Sequence, residues 1–433
     1  MKRVAILTDF TSYDFSYSLC LVAGNQVSML LRGGYEPIFV ACEGFKKAGS
    51  IDHEKVTLRF IPNYTRSNRA ELDDHWEEDV NRLEDALTEA LADADVVLSH
   101  DLVYQNAALK LNIAARRVAK KRPDLRWLHW VHSATRPGFL SSSEGFLQTV
   151  RTKFPNSFIV YPNPYEIPRV ARKFGYEEDE VKCVFHPIDV CGYMGFHDIT
   201  TRMVDEYNIL SADAIGVYPV RLDRGKQVEY CVRVFAQLKR IGRSVRLIVV
   251  DFHSTGGDKV VYRNQLKKLG IDLGLNSDEL IFTSEFSSET HLSCPRAVVR
   301  DLMFLCNVYM HPSVSETFSL TTQEAALNGA FLVLNWDWPA MRSIYGKNAI
   351  YTGFSSDHHS VGHFWEENTE RTYGGVAEGQ EGVNAFAFDI ANRIAYELDT
   401  NMVLAQQRDR RQNFNLDAVF KNQLQPLLFV EGE

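Results

Sequence analysis

The feature that most constrains this chain is an alternation of short apolar runs with longer segments of helical periodicity, which occurs in two separate series. The first series contains the runs RVAILTDF, EPIFVAC, ADVVLSHD, RWLHWVHS and SFIVYPN, with predicted helices at 72–91 and 102–119. The second contains AIGVYPV, VRLIVVDFH, ELIFTSEF, VYMHPS and AFLVLNWD, with a predicted helix at 228–241. Such alternation is typical of βαβ units, so each series predicts a doubly wound parallel sheet with helices on both faces.

The length and the gap between the two series predict the domain organisation. A chain of 433 residues can form two or three domains, each with its own core. The pattern stops around VFHPIDVCGYMGF and resumes near residue 212. We therefore predict Rossmann-like domains at 1–195 and 205–385, and a helical segment at 386–433 that can pack back on the N-terminal domain. The polar stretch EENTERTYGGVAEGQEGVN is interpreted as a long loop.

Charged and polar residues follow many of the predicted strands. In open parallel sheets, ligands bind outside the carboxyl ends of the strands, so residues at these ends are candidates for a functional site. The residues in question are Asp9, His100, Asp101, His132, Arg221, Asp251 and Glu316.

Two cations lie close together after the run AIGVYPV. Arg221 follows the predicted strand, and Lys226 lies five residues later at the start of the predicted helix. A guanidinium fork and a lysine point charge at one helix start suit a diphosphate. The alternative interpretation is a solvated pair of cations at a strand end.

Two glutamates flank a second predicted helix start. The stretch HPSVSETFSLTTQEAALNGA places Glu316 and Glu324 eight positions apart. It predicts a strand, a turn and a helix that ends at Gly329, and the turn would direct backbone N–H groups at an anion. Alternatively, Thr321 and Glu324 form a capping box and Glu316 is a solvated loop residue.

The segments RLDRGK and PSVSETFSLTTQEAALNGA occur together in a known enzyme family. Residues 205–352 resemble the retaining glycosyltransferases that carry a Glu-x7-Glu motif, the large family 4-like group that includes sucrose synthases and bacterial mannosyltransferases. The resemblance implies the GT-B fold, in which two Rossmann-like domains face each other across a cleft. It further implies an N-terminal domain that binds the acceptor and a C-terminal domain that binds a nucleotide sugar.

The resemblance also implies roles for individual residues. Arg221 and Lys226 would hold the donor diphosphate, Glu316 would contact the transferred sugar, and Glu324 would contact the ribose of the nucleotide. His132 would lie near the reacting sugar carbon. The phosphate cradle would be completed by the backbone amides of Phe318, Ser319 and Leu320. Four further residues are weaker site candidates: Asp9, His100, Asp251 and Ser284.

The implied activity is transfer of a hexose from UDP-hexose or GDP-hexose with retention of configuration, with no cofactor and no metal ion. Asp93 and Asp95 precede a predicted strand instead of following one, which argues against a metal-binding Asp-x-Asp motif. His358, His359 and His363 lie beside a polar loop and are interpreted as solvated. Two rival functions stay open, a sugar-nucleotide epimerase of the same fold and a non-catalytic sugar-nucleotide-binding module.

Composition and charge give weaker evidence about the acceptor and other binding partners than the motifs give about the donor. A formal net charge of −9 disfavours general nucleic-acid binding, so a glycan, lipid, small molecule or protein acceptor is favoured over modified DNA. The basic run ARRVAKKRP is either a solvated helix end or a patch for an anionic acceptor or membrane surface. No run approaches a membrane span, the N-terminus has too few apolar residues for a signal peptide, and seven cysteines lack a C-x-x-C pair. We expect a cytoplasmic protein of undetermined oligomeric state.

Overall fold

The computed structural model describes residues 2–64, 74–103, 105–132, 152–253, 257–313, 316–354, 363–366, 369–372 and 380–429. These residues form two compact units, divided between Asp189 and Val190. The chain returns to the first unit at Asn413, so unit 1 contains the residues up to 189 and those from 413 onward. Unit 2 contains residues 190–412.

Unit 1 contains a single seven-stranded parallel sheet with strand order β3-β2-β1-β4-β5-β6-β7. Its strands are β1 (Arg3–Leu7), β2 (Glu36–Cys42), β3 (Thr57–Ile61), β4 (Val96–His100), β5 (Arg126–Trp130), β6 (Ser157–Tyr161) and β7 (Val181–Cys183). Its longer helices are α1 (Ser18–Arg32), α2 (Trp76–Ala90), α3 (Leu109–Lys121) and α4 (Ile167–Phe174).

Both faces of the first sheet are covered. Trp127 packs with α2, α3 and α4 on one face, and Phe39 packs with α1 on the other. The C-terminal segment, with short helices at Leu416–Val419 and Gln425–Leu428, adds Phe420 to this second face. An ion pair between Arg32 and Asp417 (2.6 Å) also fastens this segment to α1. Burial on both faces explains why the strands are almost continuously apolar.

Unit 2 contains an eight-stranded sheet with strand order β10-β9-β8-β11-β12-β13-β14-β15. Its strands are β8 (Ala214–Val220), β9 (Val245–Asp251), β10 (Leu280–Phe282), β11 (Val308–His311), β12 (Phe331–Asn335), β13 (Ile350–Gly353), β14 (His363–Glu366) and β15 (Thr369–Thr372). The last two pair antiparallel to the parallel sheet. Its helices are α5 (Val190–Met194), α6 (Asp198–Glu206), α7 (Val228–Arg240), α8 (Asp258–Asp272), α9 (Arg296–Leu305), α10 (Leu320–Leu327), α11 (Pro339–Tyr345), α12 (Gln380–Thr400) and α13 (Met402–Asn413).

The structure confirms the α/β class and the two doubly wound, Rossmann-like domains. The extent of the C-terminal segment differs from the predicted 386–433, because residues 386–412 belong to unit 2. Helix α12 buries Phe386, Ile390 and Ile394 in the core of unit 2, and the Phe386 ring lies 5.9 Å from that of Tyr230 on α7. The residues from 413 onward pack in unit 1.

Three details of the sequence prediction are wrong. The predicted long loop contains the last residue of β14, the whole of β15 and the start of α12, and the pairing of β14 with β15 at the sheet edge requires no apolar run. Strand β3 was not predicted, because most of its residues are at least partly exposed. This exposure is expected for β3, which is an edge strand of the sheet in unit 1. The helix predicted at 102–119 begins only at Leu109, since a 3-10 turn precedes it at Asn106–Ala108.

Candidate functional site

The candidate site of unit 2 lies where the strand order reverses. Strands β8 and β11 are neighbours in the sheet, but the chain continues from them to opposite sides, which is the topological switch point at which open α/β sheets bind ligands. A cavity of about 440 Å³ opens at their carboxyl ends. It is lined by Tyr218, Pro219, Val220, Arg221, Lys226, Phe252, His311, Glu316, Thr317, Phe318, Ser319, Leu320 and Thr321.

Lys226 and Glu316 meet inside this cavity. The chain leaves β8, forms a 3-10 turn at Arg224–Lys226, and enters α7 through Gln227, whose φ is 49°. Lys226 Nζ lies 3.0 Å from Glu316 Oε2 and 3.3 Å from Ser313 Oγ. The Lys226 ammonium is therefore held at the switch point by the carboxylate of Glu316, which follows the neighbouring strand β11.

Arg221 lies at the more open edge of the cavity. It is the first residue after β8, and its side chain is 59% exposed. Its Nε lies 2.5 Å from Asp223 Oδ2, and Lys259 Nζ approaches the other oxygen of Asp223 at 3.8 Å. Because this guanidinium is largely exposed and its ion pair is with Asp223, two residues along the chain, it can turn toward an anion at little cost.

The N-terminus of α10 forms another part of the cavity wall. Ser319 is the N-cap, with φ 60° and ψ 90°, and its Oγ accepts from the Thr322 amide at 3.3 Å. A left-handed serine is strained, and such residues concentrate at functional sites. The amides of Phe318, Ser319 and Leu320 have no hydrogen-bond acceptor among the described residues, so they are available to a ligand anion.

The capping-box interpretation of Thr321 and Glu324 is wrong. The helix starts at Leu320, so Ser319 is its N-cap and Glu324 lies in the second turn. Glu324 pairs through both carboxylate oxygens with Arg296, at 3.1 Å for Nη1 to Oε2 and at a shorter Nη2 contact. Glu324 does not line the cavity. The predicted helix end is correct, because the amides of Gly329 and Ala330 close a Schellman motif with Gly329 at φ 78°.

The sequence pattern did not predict His311 as a candidate, although it ends β11 as the other candidates end or follow their strands. Its ring is 3% exposed; Nδ1 lies 3.2 Å from the Tyr309 hydroxyl and Nε2 lies 3.5 Å from Glu316 Oε2. The interaction with His311, together with Lys226, lowers the pKa of Glu316 to about 2, against the opposing effect of burial. Burial lowers the pKa of His311 itself, so this imidazole is neutral.

Asp251 and Ser284, two of the weaker candidates, contact each other away from the cavity. Asp251 is fully buried and accepts from the Ser284 amide at 2.9 Å and from Ser284 Oγ at 2.6 Å. Arg263 Nη1 donates to Ser284 Oγ at 2.7 Å and lies 3.8 Å from Asp251. Burial raises the pKa of Asp251. These contacts join the end of β9 to the turn after β10, so the carboxylate of Asp251 stabilises the fold at this position.

Unit 1 has a cavity at its own switch point, between β1 and β4. The cavity has a volume of about 270 Å³ and contains Asp9, His100 and Asp101 in its wall, with no lysine or arginine among its described lining residues. Asp9 accepts from the Tyr64 hydroxyl at 3.1 Å, and Asp101 accepts from Gln105 at 3.0 Å.

A stack of three histidines lies beside this cavity. His100 Nδ1 is 2.9 Å from His132 Nε2, and the ring of His132 stacks on that of His186 at 5.3 Å. His100 Nε2 contacts Gln26 Oε1 at 2.9 Å. Burial lowers the pKa of His132 and of His186 to about 4, and that of His100 further still in the same direction. The sequence predicted His132 and His100 but not His186, which follows the short strand β7.

The basic run ARRVAKKRP, at the C-terminal end of α3, has partners within unit 1. Arg117 pairs with Glu77 (2.8 Å), Lys121 pairs with Glu84 (2.6 Å), and Arg122 pairs with Asp124 (2.7 Å). These pairs favour the solvated helix end over a binding patch.

The alternative metal motifs gain no support from the described residues. Asp93 lies before β4, as predicted, and pairs with Arg59 at 2.5 Å. His358 and His359 lie outside the described residues. Within the described ranges no group of three or more His, Cys, Asp or Glu side chains could hold a metal ion, and no helix there is long and apolar enough to cross a membrane.

No protein-family model and no curated protein matches this chain. Among solved structures, a glycosyltransferase from Rickettsia africae is 14% identical, with 98% of this chain and 97% of that chain covered and a TM-score of 0.36. Anabaena Alr3699/HepE in complex with UDP-glucose is 14% identical, with 99% of each chain covered and a TM-score of 0.35. Sucrose-phosphate synthase from Thermosynechococcus elongatus is 15% identical, with 97% of each chain covered and a TM-score of 0.34. Similarity at this level assigns no substrate and no residue role to the present chain.

Proposed function

We propose that this protein is a nucleotide-sugar-dependent hexosyltransferase that retains anomeric configuration, and that the donor diphosphate binds at the switch point of unit 2. The observation that carries the proposal is the joint placement of Lys226, Arg221 and the α10 N-terminus around one cavity. Each is a cation or an unpaired N–H dipole, and together they provide the positive potential that a diphosphate requires.

The chemistry follows from this potential. The bond between the anomeric carbon and the diphosphate oxygen breaks, a bond to an acceptor oxygen forms, and the acceptor proton is released. Charge that grows on the departing diphosphate is stabilised by Lys226 and Arg221, which line the cavity and bind the diphosphate before the bond breaks. The same residues do the work that a divalent cation does in other transferases, so we propose a metal-independent reaction with a UDP-hexose or GDP-hexose donor.

Glu316 is suited to the sugar. Its pKa near 2 keeps it ionised at neutral pH, and it lines the cavity beside Lys226. An anionic carboxylate here can accept hydrogen bonds from sugar hydroxyls and stabilise positive charge at the anomeric carbon. The roles that the resemblance implies for Glu324 at the ribose and for His132 near the reacting carbon stay predictions, as does binding of the acceptor by unit 1.

The proposal is tested first by donor binding. Thermal shifts of the wild-type protein are measured with UDP-, GDP-, ADP- and TDP-sugars, since a ligand at a hundred times its Kd adds about 2.7 kcal/mol of stability. The stabilisation should disappear in Lys226→Ala. The matched control is Lys239→Ala, because Lys239 is a similarly half-buried lysine of unit 2 paired with Glu279 (2.6 Å) and absent from the cavity wall.

Turnover separates the proposal from its rivals. Release of free nucleoside diphosphate that depends on added acceptor and survives EDTA would support a metal-independent transferase. Interconversion of the sugar nucleotide without an acceptor would identify an epimerase. Tight binding with no turnover across glycan, lipid, small-molecule and protein acceptors would identify a binding module.

A further inference from the structure

A buried chain of polar side chains runs behind the cavity of unit 2. Tyr309 on β11 places its hydroxyl 2.7 Å from Thr321 Oγ1 and 3.2 Å from His311 Nδ1. His311 Nε2 lies 3.5 Å from Glu316 Oε2, which in turn contacts Lys226 Nζ at 3.0 Å. This series of side-chain contacts therefore links the α10 N-terminus to the Glu316 carboxylate, which lines the cavity.

The contacts of His311 select one tautomer. A neutral imidazole has one N–H, so one ring nitrogen donates and the other accepts. Nδ1 faces a hydroxyl, which can donate to it, whereas Nε2 faces a carboxylate, which can only accept. A proton on Nδ1 would leave a lone pair of Nε2 directed at an anion in a buried site, which is unfavourable. The N–H of His311 is thus at Nε2, which has no hydrogen-bond partner among the described residues and lies 3.5 Å from Glu316 Oε2.

Two described side chains lie beside the Glu316 carboxylate, and a bound phosphate would attract one of them and not the other. Lys226 Nζ and His311 Nε2 are the side-chain donors of the described residues that lie within 4.0 Å of its carboxylate. Lys226 is 29% exposed, and it is the cation to which a phosphate would bind. His311 is enclosed by the ring of Tyr218 (5.9 Å) and the ring of Tyr309 (6.1 Å), and Arg221 lies at the open edge of the same cavity. Neither tyrosine carries charge near neutral pH, because burial raises the pKa of both.

We propose that His311 is a positioning residue, whose Nε2–H closes on the Glu316 carboxylate and keeps it ionised and oriented when a ligand phosphate draws Lys226 away. The inference rests on the proposed function for the identity of that ligand. Without His311, the departure of Lys226 would leave a partly buried carboxylate with no described donor, and burial would then favour its protonation. A neutral Glu316 could not stabilise positive charge on the sugar.

The test uses ligand-free protein, in which Lys226→Met imitates the loss of the lysine. Glutamate is labelled with ¹³C at the carboxyl carbon, and the Glu316 signal is assigned by its absence in Glu316→Gln. The midpoint of its titration is compared in Lys226→Met alone and with either His311→Met, which removes the donor, or His311→Gln, which keeps an N–H donor. We expect His311→Met to raise the midpoint by about 1 in pH and His311→Gln to restore it.

Equal midpoints in the His311→Met and His311→Gln backgrounds would overturn the inference. His129→Gln is the matched control, because His129 is a fully buried neutral histidine of unit 1 that should leave the Glu316 titration unchanged. If His311→Met does not fold, His311→Leu replaces it as the variant without a donor, and equal midpoints in the His311→Leu and His311→Gln backgrounds would likewise overturn the inference. Titration of the free protein needs no turnover, so failure to transfer any sugar would reject the proposed function alone.

Discussion

The two switch points of this molecule have the same backbone topology and opposite chemical character. In unit 1 the cavity between β1 and β4 presents Asp9 and Asp101 beside uncharged His100. In unit 2 the cavity between β8 and β11 presents Arg221 and Lys226. The strand order places a cavity at both positions, but only the side chains at the strand ends determine which ligand each can hold.

This difference assigns the anionic part of a ligand to unit 2. A diphosphate in the cavity of unit 1 would meet carboxylates with no described lysine or arginine in the wall, which is unfavourable. A diphosphate in unit 2 would meet two cations and the start of α10.

Removal of either cation of unit 2 should have the largest effect on activity. We expect Lys226→Ala and Arg221→Ala each to lower kcat by about a hundredfold or more, because each removes a charge directed at the departing diphosphate. Steady-state kinetics measure the effect, with Lys239→Ala as the control. An unchanged kcat with a raised KM would show that these cations only anchor the donor.

Replacement of Glu316 should separate catalysis from nucleotide binding. Glu316→Gln is expected to lower kcat by about tenfold or more, since the neutral amide cannot stabilise positive charge on the sugar. Bare UDP or GDP should bind at least as tightly as before, because a phosphate no longer competes with Glu316 for Lys226. Isothermal titration measures this affinity, and a large loss of affinity would place Glu316 at the nucleotide instead.

Mild acid should weaken unit 1 more than unit 2. Burial lowers the pKa of four described histidines in unit 1, His100, His129, His132 and His186, and of His311 in unit 2. Between the unfolded pKa of about 6.5 and the folded pKa of about 4 for His132 and His186, the unfolded chain binds protons that the folded unit excludes. Stability therefore falls as pH decreases through this window, by about 1.4 kcal/mol per pH unit for each proton.

Hydrogen exchange of the β4 and β5 amides, compared with those of β8 and β11, measures this difference between pH 7 and pH 5. The variant His186→Gln should reduce the pH dependence of unit 1 by the share of one histidine. Equal loss of protection in both units would contradict the claim that the buried neutral histidines make unit 1 the more acid-sensitive unit.

The smallest effect is expected at Glu324. If it contacts ribose, Glu324→Gln should weaken binding of the bare nucleotide and leave kcat nearly unchanged. If its role is only the ion pair with Arg296, which is 70% exposed, stability should fall by less than about 1 kcal/mol. Titration of UDP or GDP against Glu324→Gln and Arg296→Gln distinguishes these outcomes, because loss of the ion pair alone affects both variants alike.

The sequence predicted most of the fold because buried parallel strands must be apolar and because helices must intervene between them. It also predicted Arg221, Lys226 and Glu316, since residues at strand ends converge at one edge of a sheet. The contacts of His311 with Glu316 and of Arg296 with Glu324 could not be predicted, because tertiary packing brings each pair together. Only the capping-box alternative misplaced the start of α10, with Thr321 as its N-cap, because the positive φ of Ser319, the actual N-cap, depends on the surrounding turn and not on local helix preference.

The most direct test of the account is a comparison of nucleotide affinity after one change at each switch point. Isothermal titration of UDP and GDP is carried out with the wild-type protein, Lys226→Met in unit 2 and Asp101→Asn in unit 1. Asparagine tolerates the left-handed backbone of Asp101 (φ 54°), so the second variant should keep its fold. We predict that Lys226→Met weakens nucleotide binding at least about tenfold and that Asp101→Asn leaves it unchanged. Weakened binding in Asp101→Asn with unaltered binding in Lys226→Met would contradict the account.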